Sequence, residues 1–117
     1  MIHQMKLQND PFQMIKKGQK TIEMRLYDEK RKLVQVGDEI SFTNMESGET
    51  LLTKVKNLYI YPSFQELYQN FDPKVLGYED GEEAHPEDME QYYPKAKIKK
   101  YGVVGIEVET IQGEYKS

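Results

Sequence analysis

The chain has 117 residues, which suits one domain spanning residues 1–117, because globular domains cluster near about 100–150 residues. Hydrophobic residues make up 38% of it and charged residues 31%, a composition that excludes a disordered chain. The net charge of −4 excludes the class of strongly basic proteins that bind duplex nucleic acid non-specifically over their whole surface. Any nucleic-acid site is therefore confined to a local patch of the surface.

Missing residue types narrow the chemistry further. The chain has no Cys, which excludes disulfides, Cys-based zinc sites and thiol catalysis, and its two His argue against a His-rich metal centre. We therefore expect no metal and no cofactor. No apolar run approaches the roughly 20 residues of a membrane span, and the N-terminus has no signal-peptide hydrophobic region, so we expect a soluble, cytoplasmic protein without a membrane partner.

The first quarter of the chain predicts a strand, a helix and a second strand. Residues 2–7 alternate weakly as a strand. A helix over residues 11–17 follows, with Asp10 as its N-cap and Gly18 ending it after two lysines. Residues 21–27 alternate between an apolar face and a polar face, which predicts a strand with one side toward the core.

The rest of the chain predicts a hairpin, a capped helix and a closing strand. Residues 39–44 and 50–61 flank a Ser-Gly-Glu turn, and the second strand is long enough to need a bend. Ser63 and Glu66 form a capping box for a helix that ends near residue 70. Residues 71–94 are irregular, with one further capped turn. A strand rich in β-branched residues follows over residues 101–111, and residues 112–117 are predicted to be a frayed tail. The fold class is thus α+β and mainly β: a small open barrel of about five or six strands with two or three short helices.

The most informative motif lies where the first helix meets the second strand. Lys20 lies in the connection, while Glu23 and Arg25, two residues apart, project from the same face of the strand. A carboxylate between two cations can bind a planar polar ligand, because Glu accepts from amino groups, Lys contacts carbonyl or phosphate and Arg donates to two acceptors. The alternative is a surface ion pair between Glu23 and Arg25, contributing about 0–1 kcal/mol.

The pattern Gly-x-Lys-x-x-Glu-x-Arg, formed here by Gly18, Lys20, Glu23 and Arg25, resembles the signature of the ASCH domain family, a branch of the PUA-like β-barrels. The preceding helix, the Val-Gly-Asp-Glu-Ile-Ser-Phe strand entry at residues 36–42 and the closing strand follow in the order that family shows. The resemblance implies a PUA-like barrel with a cleft beside the motif, and RNA or a modified nucleoside as its partner.

One bacterial branch of that family is similar to N4-acetylcytidine amidohydrolases, in which a Lys, a nucleophilic Thr and a Glu cooperate. Lys20 matches the Lys, but Glu23 occupies the position of the Thr, and a carboxylate is not activated by deprotonation as a hydroxyl is. Thr21 is a nearby hydroxyl displaced along the strand by about 6–7 Å. An amidohydrolase acting on an acylated nucleoside, with Lys20 and Glu23 as its catalytic residues, is therefore the second hypothesis.

Other residues give weaker indications of a site. Six of the nine Tyr are candidates for stacking on a base, with filling of the core as the alternative, namely Tyr59, Tyr61, Tyr68, Tyr78, Tyr92 and Tyr93. Tyr59 and Tyr61, which share one face of a strand, are the pair predicted to bind the ligand alongside Lys20, Thr21, Glu23 and Arg25. The lysines of residues 95–100 either contact phosphates or form a solvated edge before the last strand. The acidic residues 79–90 suggest a third hypothesis, a protein-interaction domain.

Overall fold

The computed structural model describes residues 1–111, so the predicted tail over residues 112–117 lies outside the described residues. The strands are Ile2–Leu7 (β1), Ile22–Leu26 (β2), Glu39–Asn44 (β3), Thr50–Tyr61 (β4) and Val103–Thr110 (β5). The α-helices are Asn9–Lys17 (α1), Phe64–Gln69 (α2), Pro73–Leu76 (α3) and Lys95–Tyr101 (α4), with 3-10 helices at Arg31–Leu33 and Pro86–Gln91. The mainly β, α+β class is confirmed, and residues 1–111 contain more helices than the two or three predicted.

All five strands belong to one mixed sheet, in the order β1-β3-β4-β5-β2. β1 runs parallel to β3, and the other neighbours are antiparallel. The predicted hairpin is β3 and β4, and the predicted bend in β4 is a register shift between Val55 and Asn57. The sheet curves into a half-barrel with β1 and β2 at its two edges, as predicted for a small open barrel.

Helix α1 begins earlier than predicted. Its N-cap is Gln8 rather than Asp10, which lies inside the first turn. Pro11 fits there because the first backbone N–H groups of a helix have no intrahelical partner, so a missing one costs nothing. The C-terminal prediction is confirmed: Gly18 adopts the left-handed conformation with φ of 86°.

Two predictions for the second half of the chain have different outcomes. The Ser63 cap is confirmed, since its hydroxyl accepts a hydrogen bond from the Glu66 backbone N–H. Residues 95–100, for which no helix was predicted, form α4, and the four lysines of this segment are exposed on it. The helix extends through Tyr101, and Gly102 turns the chain with φ of 72°, so β5 begins two residues later than predicted.

The core consists of two clusters. One is formed by β1, α1 and the interior of the sheet, and the other packs α2, α3 and the 3-10 helix at Pro86–Gln91 against β2 and β5. Gly105 permits this second contact, because a Cβ there would lie 3.0 Å from Ile22 Cγ2 and 3.4 Å from Leu67 Cδ1. As a result β2 is buried on both faces, including its polar one, where Glu23 is 5% exposed. Within residues 1–111, no helix has the length and apolar character to cross a membrane.

Candidate functional site

The residues of the motif are placed by the turn between α1 and β2. The C-terminal turn of α1 is closed by backbone hydrogen bonds from Gln19 and Lys20 to Met14 O. The next backbone N–H, that of Thr21, donates to Val75 O, which fixes α3 beside the turn. Lys20 is thereby directed between β2 and α3 rather than toward solvent.

Lys20, Glu23 and Arg25 form a buried charge cluster. Glu23 Oε2 accepts a hydrogen bond of 2.6 Å from Arg25 Nε, and Glu23 Oε1 lies 3.5 Å from Lys20 Nζ. Their side chains are only 6%, 7% and 12% exposed in chain order, which excludes the alternative of a surface ion pair. Lys20 Nζ also donates to Leu76 O at 2.9 Å, and Arg25 Nη2 donates to Lys6 O at 2.8 Å.

Burial and mutual attraction shift the pKa values in this cluster. Burial lowers the pKa of Lys20, and the Glu23 carboxylate offsets only part of that effect. Burial by itself raises the pKa of Glu23, but the positive charges of Arg25 and Lys20 outweigh it and hold that pKa below its usual value. Glu23 is therefore a firmly ionised carboxylate, whereas Lys20 releases its proton more readily than an ordinary lysine.

Gly77 makes room for the lysine. It ends α3 with φ of 109°, a conformation that favours glycine. A Cβ at this position would lie 3.2 Å from Lys20 Cδ and 3.5 Å from Lys20 Nζ. The α3 end thus supplies both the carbonyl that binds the ammonium and the space for its stem.

The cluster lies at a cleft of about 560 Å³, a size typical of small-molecule sites. Its lining comes from the edge strands β1 and β2, from α1, from Met45 after β3, and from α2 and the chain between α2 and α4. Four tyrosines contribute to the walls, namely Tyr68, Tyr78, Tyr92 and Tyr93. The acidic side chains of the lining other than Glu23 are Asp10, Glu79, Glu82 and Asp88.

A hydrogen-bond network holds part of the cleft wall. The hydroxyl groups of Tyr68 and Tyr78 are 2.8 Å apart, and the Tyr78 hydroxyl also donates to Asp88 Oδ2 at 2.8 Å. Burial, together with these two hydrogen bonds, raises the pKa of Tyr78. The network connects α2 to the 3-10 helix and so fixes two aromatic side chains at the cleft.

Comparison with known proteins identifies the family. The model of the ASCH domain family matches residues 5–112. The chain belongs to the ASCH domain family. Among functionally curated proteins, none matches.

Several solved structures share the fold of this chain. The chain is similar to the hypothetical protein PH0355 (39% identity, TM-score 0.81, covering 95% of this chain and 100% of that one). It is also similar to protein PF0455 from Pyrococcus furiosus (38% identity, TM-score 0.70, covering 96% and 99%). The S128A mutant of ZmASCH from Zymomonas mobilis shares the fold at 11% identity (TM-score 0.65, covering 95% and 71%).

This ASCH domain brings together some of the predicted site residues and separates others. Lys20, Glu23 and Arg25 meet at the cleft, whose lining does not include Thr21, Tyr59 or Tyr61. The two tyrosines pack edge-on against Phe71, and the Tyr59 hydroxyl donates to Glu107 Oε1, so both pack at the margin of the second core cluster. The lysines of α4 are likewise absent from the lining, whereas part of the acidic segment 79–90 forms a wall of it.

The cleft also has contributors that sequence analysis did not single out. Lys6 and Met24 line it because β1 and β2 are the edge strands, a consequence of topology that has no local sequence signal. Tyr92 and Tyr93 were among the six tyrosines considered for stacking, and they reach the cleft because they directly follow the 3-10 helix at Pro86–Gln91. Within residues 1–111, no group of three or more His, Asp or Glu side chains is arranged to hold a metal ion.

The low pKa of Glu23 predicts an acid-dependent loss of stability. In the unfolded chain the Glu23 carboxylate takes up a proton near pH 4.5, whereas in the folded protein it does so only at lower pH. The ionised carboxylate therefore stabilises the fold above pH 4.5, and this stabilisation disappears as the pH falls through the folded-state pKa. Urea unfolding between about pH 3 and pH 7 should show the free-energy difference between wild type and Glu23→Gln narrowing toward low pH. A difference that stays constant across this range would contradict the pKa assignment.

Proposed function

We propose that this ASCH domain binds a nucleoside in the cleft above the Lys20–Glu23–Arg25 cluster. The observation that carries the proposal is the position of this buried cluster at a tyrosine-lined cleft of about 560 Å³. Membership of the ASCH family, with its resemblance to PUA-like barrels that bind RNA or modified nucleosides, supports the same ligand class.

The energetics of the cluster support a role beyond stability. Taking an ion from water into a protein costs several kcal/mol, and well-packed apolar residues are often as stable or more stable in its place. Three buried charged groups therefore stabilise a fold less effectively than apolar residues of similar volume would. Their presence at a concave surface is typical of a binding or catalytic site.

The charge of the lining favours a nucleoside over the phosphate backbone of a nucleic acid. The cationic side chains of the cleft are Lys6, Lys20 and Arg25, whereas five carboxylates contribute to the same lining. Glu23 already neutralises one of the buried cations. An excess of negative charge repels phosphates but accepts a neutral base with amino and carbonyl groups.

The donors and aromatic faces match such a base. Lys20 has three N–H donors, of which Leu76 O and Glu23 occupy two. The third N–H can donate to a base carbonyl. Stacking of a base on a tyrosine ring contributes about 1–3 kcal/mol, and Tyr92, half exposed at the cleft, offers such a ring.

Lys20→Met tests the proposal at the cluster. The substitution keeps the apolar stem and leaves Glu23 paired with Arg25, so we expect a folded protein. Loss of a charge-assisted hydrogen bond of about 1.5–3 kcal/mol should weaken nucleoside binding by roughly 10- to 150-fold. Titration calorimetry with uridine, cytidine, adenosine and guanosine, and circular dichroism for the fold, provide the readouts. Equal affinities of Lys20→Met and wild type would overturn the proposal, as would a wild-type protein that binds none of the four.

Tyr92→Ala tests the aromatic wall separately. We expect a loss of affinity of about 5- to 150-fold, corresponding to one stacked base. Tyr101→Ala is the matched control, because Tyr101 lies at the end of α4, outside the lining of the cleft. Nucleoside affinity should be unchanged in the control, and a loss of equal size in both variants would indicate a general structural effect.

A second candidate function is hydrolysis of an acylated nucleoside. The observation that favours it is that Glu79 and Glu82 line the same cleft as Lys20, whose pKa is lowered by burial. Glu23 is poorly suited to be the general base, because the two cations hold its pKa low. The test is release of cytidine from N4-acetylcytidine. Release that is lost in Glu82→Gln and kept in Glu83→Gln would establish this function. No release above background by the wild-type protein would exclude it for this substrate.

A further inference from the structure

The cleft lies at the open side of the half-barrel, between the two edge strands. β1 pairs only with β3 and β2 pairs only with β5 in the sheet, so each strand has one edge without a neighbouring strand. Edge strands present backbone N–H and C=O groups that have no partner in the sheet. Which residues present them depends on the register of each strand.

In β2, the outward-facing backbone groups belong to the even-numbered residues. Val108 N–H donates to Thr21 O at one end of the β2–β5 ladder, and Tyr27 N–H donates to Gly102 O at the other. Thr21 and Tyr27 are therefore hydrogen-bonded to β5. In the same register Glu23 pairs with Ile106 and Arg25 with Val104, so the odd-numbered residues of β2 are the ones bonded to β5. Hydrogen-bonded residues alternate along an antiparallel strand, so the N–H and C=O of Met24 point away from β5.

In β1, Lys6 is one of the residues whose backbone groups face outward. Glu39 N–H donates to Met1 O and Met45 N–H donates to Leu7 O, so the odd-numbered residues of β1 bond to β3. Arg25 Nη2 reaches Lys6 O, as expected for a carbonyl at the free edge. This contact is independent evidence that the free edges of β1 and β2 both face the open side of the half-barrel.

Of the three outward-facing residues in β2, only Met24 lines the cleft. It is 6% exposed, and the hydrogen bonds described for residues 1–111 include no partner for its N–H or C=O on the free edge. A buried backbone donor and acceptor without partners cost free energy, and a cleft wall is where a ligand can satisfy them.

We propose that the main chain of Met24 recognises the Watson–Crick edge of the bound base. The inference rests on the proposed nucleoside binding and specifies its geometry: the base enters edge first, its donor and acceptor atoms pair with the N–H and C=O of Met24, and the ribose points to the opening. The ligand class is accordingly a free nucleoside with an unpaired base, because a base in a duplex has this edge occupied.

Methylated nucleosides test this orientation. Uridine and guanosine are compared with 3-methyluridine and 1-methylguanosine, whose methyl groups block the Watson–Crick edge, and with 5-methyluridine and 8-methylguanosine, whose methyl groups lie elsewhere. Loss of two neutral hydrogen bonds predicts at least roughly fivefold weaker binding of the blocked compounds, with little change for the matched controls. Equal binding of parent and blocked nucleoside would overturn the inference and leave nucleoside binding intact, whereas failure of all nucleosides to bind would overturn both.

Amide hydrogen exchange of the ¹⁵N-labelled protein locates the contact. Saturation with the tighter-binding parent nucleoside should slow exchange at the Met24 N–H by at least roughly tenfold, because the new hydrogen bond has to open before exchange. Arg25 N–H is the control, since it already belongs to the β2–β5 ladder and should change less. Protection at other cleft amides without protection at Met24 would refute the inference.

Discussion

Replacing Glu23 by Gln is expected to lower the free energy of unfolding by about 3–5 kcal/mol. The carboxylate lies between Lys20 and Arg25, with all three side chains nearly buried. An amide leaves two buried cations without a counter-charge, and removing one partner from a buried ionic group costs far more than the group contributes in net terms. Urea denaturation at neutral pH measures the loss.

Glu49→Gln is the matched control for this variant. Glu49 also pairs with a lysine, Lys16, at 2.6 Å, but both side chains are more than 40% exposed. Water screens that pair, so its removal should change the free energy of unfolding by no more than about 1 kcal/mol. Similar losses in the two variants would show that burial of the Lys20–Glu23–Arg25 cluster does not strengthen it.

Arg25→Ala is expected to destabilise the protein by a similar amount, about 3–5 kcal/mol. The guanidinium compensates the buried Glu23 charge and also donates to Lys6 O, so it connects the edge strands β1 and β2. The substitution removes both contacts at once. Thermal and urea unfolding of the variant give the magnitude.

Arg25→Lys separates charge from geometry. Lysine keeps the positive charge but lacks the planar guanidinium that donates in two directions, so one contact should be lost, at about 1.5–3 kcal/mol. Arg31→Lys is the control, because Arg31 has a longer contact of 3.3 Å to Asp28 that an ammonium can also make. Full stability of Arg25→Lys would mean that the contact to Lys6 contributes nothing.

Much of the fold could be predicted because local chemistry determines it. The Gly18 stop, the Ser63 cap and the β3–β4 turn are each specified by residues within a few positions. The start of α1 was misplaced because proline is tolerated throughout the first helical turn and does not mark one position. The helix at residues 95–101 was missed because its lysines suit a solvated surface in any secondary structure.

The candidate site was predictable only as far as strand periodicity reaches. Alternation along β2 placed Glu23 and Arg25 on one face, and the turn placed Lys20 beside them. Burial of that face could not be predicted, because it depends on α3 packing from more than 50 residues away, where Leu76 O accepts from Lys20. Tyr59 and Tyr61 share a face as predicted, yet that face packs against Phe71 rather than lining the cleft.

The contact between Arg25 and Lys6 has a mechanical consequence. A closed barrel has a fixed circumference, because every strand is bonded to the next along its whole length. Here the sheet is not closed by a ladder between β1 and β2, and the guanidinium of Arg25 joins these two edge strands through one hydrogen bond to the main chain of Lys6. Loss of this contact would therefore leave every strand ladder of the sheet intact.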